Sequence, residues 1–264
     1  MSSPKGPTQY PWLATRPPHP RTLGAVTKIE LLPIPGIPEV RPGDNLADQI
    51  IEAAKAENGG PGLVAGDVVV VTQKVVSKAE GRLVPVDPDD HLSHKQHVLD
   101  ETVRVVRKRG DLIISETAHG FVCANAGVDL SNVERGFAAL LPIDSDRSAR
   151  KIRDAILGKT GVRVGVVISD TFGRPWRKGL TDVAIGCAGV AGVVDLRGTH
   201  DALGRELQVT ELCAADEIAS AAEMVMGKAD GIAAAIVRGV NPSWLREGSV
   251  RDEIVRPPAE DLFR

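Results

Sequence analysis

Apolar positions in this chain follow two alternating rhythms, a period near two and a period near 3.6. Residues 28–32 alternate as a short strand, and the prolines of 33–42 then force an irregular, extended loop. Leu46, Ile50, Ile51 and Ala54 have helical spacing within 45–56. The uninterrupted β-branched run DVVVVT at 67–72 predicts a strand covered on both faces. Leu92, Leu99, Val103 and Val106 form an apolar stripe that predicts a helix over 90–109, and 112–115 returns as a strand. A helix is predicted over 146–157, ended by Gly158, and a second buried strand (VRVGVVIS) over 162–169. The Ala-rich segment 216–226 reads as a strong helix with Asp216 near its start, and 233–237 as a last apolar strand. Strands and helices interspersed in this way predict a mixed α/β (α+β) architecture.

Composition narrows the function. The chain has 264 residues, enough for a large core, with a formal net charge of −3 and only 3% aromatic residues. An acidic, aromatic-poor chain does not suit a nucleic-acid or anionic-membrane partner, both of which reward a basic face. Cys123, Cys187 and Cys213 are far apart and odd in number, so they read as small buried hydrophobes in a reducing compartment, the cytoplasm. Residues 1–27 are proline-rich without an apolar run, which predicts an extended tail and no signal peptide; no stretch is long and apolar enough to span a bilayer.

Two phosphate-like signatures do not survive inspection. Gly158-Lys159-Thr160 resembles the end of a P-loop, but Arg153 stands where that motif needs glycine, and the predicted helix precedes rather than follows it. Gly186, Gly189 and Gly192 have the wrong spacing for a dinucleotide fold. His91, His94 and His97 lie on the polar side of the predicted 90–109 helix, with the outer two about 9 Å apart along its axis. One ion would reach two of them, and a solvated face accounts for all three.

Two acidic positions at turns carry more chemistry. Asp129 and Asn132 follow Gly127 in AGVDLSN, and Asp170 and Thr171 follow the 162–169 strand in SDTFGR. Carboxylates and a hydroxyl at a strand end are suitable oxygen ligands for Mg²⁺ or Mn²⁺ beside a nucleotide phosphate; each Asp can equally bond its own turn. Lys74 and Lys78, and Arg174, Arg177 and Lys178, flank the same regions and can neutralise phosphates or carboxylates.

Several long segments occur together in order: LLPIPGIPEVRPGD, GDVVVVTQKVVSKAEGRLV, ETAHGFVCANAGVDLSNV, VVISDTFGRPWRKGLTDVAIGCAG, GRELQVTELCAADEIA and RPPAEDLF. In these the chain resembles the coenzyme F420-0:L-glutamate ligase family from about Lys28 to its end. The resemblance implies a 28–264 ligase domain of two intimately packed subdomains, without the nitroreductase-like C-terminal domain of some relatives. It implies a homodimer, a divalent metal, and GTP as co-substrate with F420-0 and L-glutamate. By position it implies GTP contacts at Ile37, Pro38, Glu39, Val40, Gln73 (often serine in relatives), Lys78 and Asn132, and metal ligands at Asp129, Asp170 and Thr171. In several relatives a glutamine after Met-Gly helps hold a second metal ion; here Lys228 stands at that place. An ammonium cannot ligate a cation, but it can supply charge to a phosphate or sit as a helix-end lysine.

The implied chemistry is phosphoryl transfer from GTP to a carboxylate of the deazaflavin precursor, then displacement of phosphate by the glutamate amine. Arg174 and Arg177 are candidates for substrate or transition-state charge. Two other classes share these residues: a metal-dependent nucleotide enzyme acting on another acceptor, such as a phosphatase, and a non-catalytic nucleotide-binding protein. Glutamate-dependent GDP release separates all three.

Overall fold

The computed structural model describes residues 28–262. The tail expected over 1–27 lies outside the described residues. In chain order, β1 (Glu30–Ile34) leads through the proline-rich loop to α1 (Leu46–Ala54), then β2 (Val68–Thr72) and α2 (Gln73–Ala79). A smaller region follows, with β3 (Leu83–Pro85), α3 (Lys95–Asp100), β4 (Thr102–Arg109), β5 (Leu112–Thr117), β6 (Val122–Ala124) and β7 (Phe137–Ala139). The chain then returns through α4 (Ser145–Thr160), β8 (Gly165–Arg174) and β9 (Arg177–Ala188). It ends with β10 (Val194–Asp195), β11 (Glu211–Leu212), α5 (Ala214–Met226), β12 (Ala234–Arg238) and α6 (Val250–Glu253). Helices and mixed sheets make this an α+β fold.

The main sheet has the order β1-β12-β2-β8-β9, and only the central β2–β8 pair is parallel. Because strand side chains alternate, the VVVV run of β2 serves both faces. Val69 and Val71 pack with α1 and α4, including Ile50, Ile152 and Ile156. Val68 and Val70 pack with Ile218, Ala219 and Ala222 of α5 on the other face. A third cluster, built on Val98, Ile113, Val128 and Leu140, lies within the smaller region. Capping fixes the helix starts: Asn45 accepts from the Asp48 N–H and Asp144 from the Arg147 N–H.

Three expectations require correction. Residues 90–109 are not one helix: α3 is confined to Lys95–Asp100, and Thr102–Arg109 is a strand paired antiparallel with β5. The β-branched residues Val103, Val105 and Val106 favour the strand, and Gly110 at φ 58° closes a two-residue turn onto Leu112. The His array is therefore not one helix face: His94 is buried just before α3, while His97 Nε2 lies 3.1 Å from the Pro85 carbonyl. Gly158 does not end α4; the helix continues to Thr160, and Gly161, left-handed at φ 73°, donates to the Leu157 carbonyl. Finally, β8 does not stop at Ser169. Its pairing with β2 ends there, at Thr72↔Ser169, but it continues with β9 as a two-stranded ribbon to Arg174.

Candidate active site at the end of the parallel pair

That divergence opens the main cleft. Beyond Thr72 the chain folds into α2, while β8 leaves with β9, so the end of the parallel pair is uncovered. The resulting cleft has a volume of about 610 Å³. The loop after β1 and the segment between α5 and β12 supply its other walls.

Eleven positions expected from sequence meet here: Ile37, Pro38, Glu39 and Val40 from the first loop, Gln73, Lys74 and Lys78 from α2, Asn132, Asp170 and Thr171, and Lys228. Asp129 stands beside them, its Oδ2 2.8 Å from Lys74 Nζ, which also donates to Ser131 Oγ at 2.8 Å. Asn132, at φ 52°, ties this loop to the far wall by donating to the Lys228 carbonyl at 3.3 Å. Arg174 and Arg177 are not brought in: they pair across the exposed end of the β8–β9 ribbon, outside the cleft lining.

Sequence reading missed Asp182. This residue lies on β9 across from Thr171 and is 2% exposed. It accepts from Thr171 Oγ1 at 2.7 Å, Ser169 Oγ at 3.1 Å and Lys228 Nζ at 2.8 Å. Lys228 also bonds Thr171 Oγ1 and pairs with Glu223 at 2.9 Å. An acidic residue just ahead of the apolar run VAIGCA was the available signal, but its partner depended on a register shift near Gly173 that the sequence does not announce.

The charges are unevenly balanced. Burial, reinforced by the Asp129 and Asp182 carboxylates, pushes the Asp170 carboxyl up to about 7, against the opposing Thr171 N–H bond and Lys74 charge. Burial also pushes Asp129 upward, but Lys74 and the Ser131 N–H outweigh it and hold the carboxyl below its usual range. Burial disfavours the Lys228 ammonium, yet its bonds to Asp182 and Glu223 outweigh this and raise its pKa. Lys78 is buried and paired with Glu39. Ser77 Oγ lies 2.6 Å from the Leu140 carbonyl and 2.8 Å from Gln73 Oε1, and the buried Gln73 Nε2 has no partner among the described residues.

The donors fit a hard divalent cation in kind: Asp170, whose carboxyl is raised first by burial and then by the Asp129 and Asp182 charges, stands with those carboxylates and the Thr171 hydroxyl. Among the described residues, however, no group of three His, Cys, Asp or Glu side chains is arranged as a ready-made metal cluster. Lys74 and Lys228 already occupy part of the carboxylates' capacity. The free cysteines take no part: burial pushes the Cys123 and Cys213 thiols up to about 12 and raises Cys187 as well.

A family model described as F420-0:Gamma-glutamyl ligase matches residues 36–239. The coenzyme F420:L-glutamate ligase of Methanothermobacter thermautotrophicus is 41% identical over 251 residues, covering 89% of this chain and 99% of its own length. The protein of that name from Methanopyrus kandleri is 42% identical over 259 residues, covering 92% of this chain and all of its own. That of Archaeoglobus fulgidus is 42% identical over 252 residues, covering 90% and 97%.

Proposed function

Since the chain belongs to the F420-0:gamma-glutamyl ligase family, we propose that it joins L-glutamate to coenzyme F420-0, using GTP, in the cleft at the end of β2 and β8. The observation that carries the placement is the convergence there of Asp170, Thr171 and Asp182 with Lys74, Lys78 and Lys228. Such a site can neutralise a polyphosphate and orient two carboxylate-bearing substrates.

In this reading an oxygen of the F420-0 carboxylate attacks the γ-phosphorus of GTP, and GDP leaves. The glutamate nitrogen then attacks the acyl carbon, phosphate departs, and the amide nitrogen loses its proton. The side chains bind and position. Lys78 exchanges Glu39 for a phosphate oxygen, and the unpaired Gln73 amide takes up a ligand atom. The Ile37–Val40 loop and Asn132 hold the nucleotide. Asp129, Asp170 and Thr171 are the proposed holders of Mg²⁺ or Mn²⁺, which when bound supplies positive charge to phosphate oxygens. Lys228, held on Thr171 and Asp182, adds a fixed positive charge beside them.

The proposed assembly is a homodimer. Val103, Val105 and Val106 of β4, Leu112 and Val122 beside them, and Trp176 and Leu180 on the β8–β9 ribbon are exposed in the single chain. A second copy covering them would also determine whether Arg174 and Arg177 reach a substrate. No helix among the described residues is long and apolar enough to cross a membrane. The need for GTP makes the cytoplasm the proposed location.

The test is GDP release with each substrate omitted in turn. Release is expected only with F420-0 present, with glutamylated product only when glutamate is added. EDTA should abolish both, and Mn²⁺ should restore them. GTP hydrolysis that proceeds equally fast without F420-0 would contradict the assignment.

A further inference from the structure

A second cavity, of about 300 Å³, lies where the β5–β6 turn meets the start of α4, with Ile185 of β9 in its wall. Its wall contains the half-buried His119. The His119 ring stacks on Phe121 with centroids 5.5 Å apart and planes 7° from parallel. Both His119 nitrogens are committed. The Pro142 carbonyl, 2.9 Å away, can only accept, so Nε2 carries the proton. Nδ1 is left to accept from the Thr117 hydroxyl at 3.3 Å. His119 is thus an oriented ring with no nitrogen free for proton transfer.

The ring belongs to an array. Phe121 meets Phe172 edge-on at 6.2 Å, and Phe172 shares its face of β8 with Asp170, a residue of the main cleft. Two of the chain's four phenylalanines are spent here, in a protein poor in aromatic residues. Polar features of the cavity point the same way. Asp144 is engaged by the Arg147 N–H. Asp146 accepts from the backbone N–H groups of Cys187, Val250 and Arg251 and from the Ser249 hydroxyl. The Ser145 hydroxyl, in a residue 3% exposed, has no partner among the described residues. Ile143, 72% exposed, forms an apolar rim, with the exposed Arg251 in the same lining.

We infer that this cavity receives the planar deazaflavin ring of the acceptor, stacked on His119 and hydrogen-bonded at one polar edge by Ser145. The inference rests on the ligase reading and extends it, because that reading places only the reacting carboxylate in the main cleft. A flat heteroaromatic ring needs a stacking face, a polar contact for its edge and an apolar cover, and these are what His119, Ser145 and Ile143 offer. The aromatic array ends at Phe172, two residues from Asp170 on the same face of β8, so it points from this cavity toward the acidic side of the main cleft.

The test is fluorescence titration of F420-0 into the full chain without GTP or glutamate, together with KM values for F420-0 and GTP. Ser145→Ala removes a buried hydroxyl that has no partner among the described residues, so its thermal midpoint should be unchanged or higher than wild type. F420-0 should nevertheless bind more weakly, by about tenfold. Ile143→Glu, at an exposed position that tolerates charge, should weaken F420-0 in the same way. His119→Ala should do so too, with His119→Phe recovering part of the loss because the ring returns. KM for GTP should stay at the wild-type value in each. Wild-type F420-0 binding by Ser145→Ala and Ile143→Glu, with the wild type turning over normally, would overturn the ring site and leave the ligase reading intact. A parallel loss of GTP and F420-0 affinity would overturn it as well. Failure of the wild type to bind F420-0 at all would overturn both.

Discussion

Asp170 and Lys228 set opposite problems in one cleft. Asp170 is a carboxyl pushed up by burial and, beyond that, by the Asp129 and Asp182 charges, whereas Lys228 is an ammonium with three oxygen partners. A carboxyl whose folded pKa is raised favours the folded state fully below its unfolded pKa, near 3.8, and loses that contribution as pH rises through about 7. In metal-free protein the thermal midpoint of wild type relative to Asp170→Asn should therefore fall across that interval and level off above it. A constant difference from pH 4 to 8 would show that Asp170 does not titrate there. For activity, Asp129→Asn and Asp170→Asn should each nearly abolish turnover with the fold intact, because an amide offers oxygen without charge. Wild-type rates at limiting Mn²⁺ would remove either residue from the metal site. Lys228→Ala should raise KM for GTP about tenfold, and Lys228→Gln should recover as Mn²⁺ is increased. Unchanged GTP kinetics, with a slight loss of thermal stability, would leave Lys228 only a helix-end role. Asp170 and Thr171 were legible as oxygen donors at the end of an apolar run. Asp182 was not, because its place depends on which residue of the returning strand faces Thr171.

Elements differ in how openly the sequence declares them. The four consecutive valines of β2 and the Ala-rich α5 have one plausible state each, and both form close to their expected limits. The 90–109 stretch satisfies helical spacing at a few positions, while its β-branched residues and the Gly110 turn favour a hairpin with β5; pairing across that hairpin decides the outcome. Close approach between elements is equally invisible in a single strand's pattern. At Gly186 of β9 an added Cβ would lie 2.4–2.6 Å from Ser145 atoms, including its backbone carbonyl, at the start of α4. Gly186→Ala should therefore destabilise the protein by about 2 kcal/mol, read as a lower urea midpoint. A wild-type midpoint would mean that α4 can move away from the sheet at no cost.

The described fold is built around a sheet whose two faces are buried separately, with the cleft at the end of its parallel β2–β8 pair. Fully buried Asp67, just before β2, is held by Arg238 of β12 through two bonds of 2.8 and 2.9 Å. Arg238→Ala would strand that carboxylate and should cost about 3 kcal/mol, with KM for F420-0 unchanged in the fraction that remains folded. The α+β class was legible from alternating periodicities, and most of the cleft from turn chemistry and resemblance. The divergence of β8 from β2 was not, since a strand that changes partners keeps the same local pattern. The central claim, ligation through an activated acceptor carboxylate, is tested most directly by isotope transfer. F420-0 labelled with ¹⁸O in its carboxylate is incubated with the protein, GTP, Mn²⁺ and glutamate, and the products are weighed by mass spectrometry. Glutamylated F420 is expected in step with GDP, with one ¹⁸O per transfer in the released phosphate. Unlabelled phosphate, or GDP without glutamylated product, would contradict that claim.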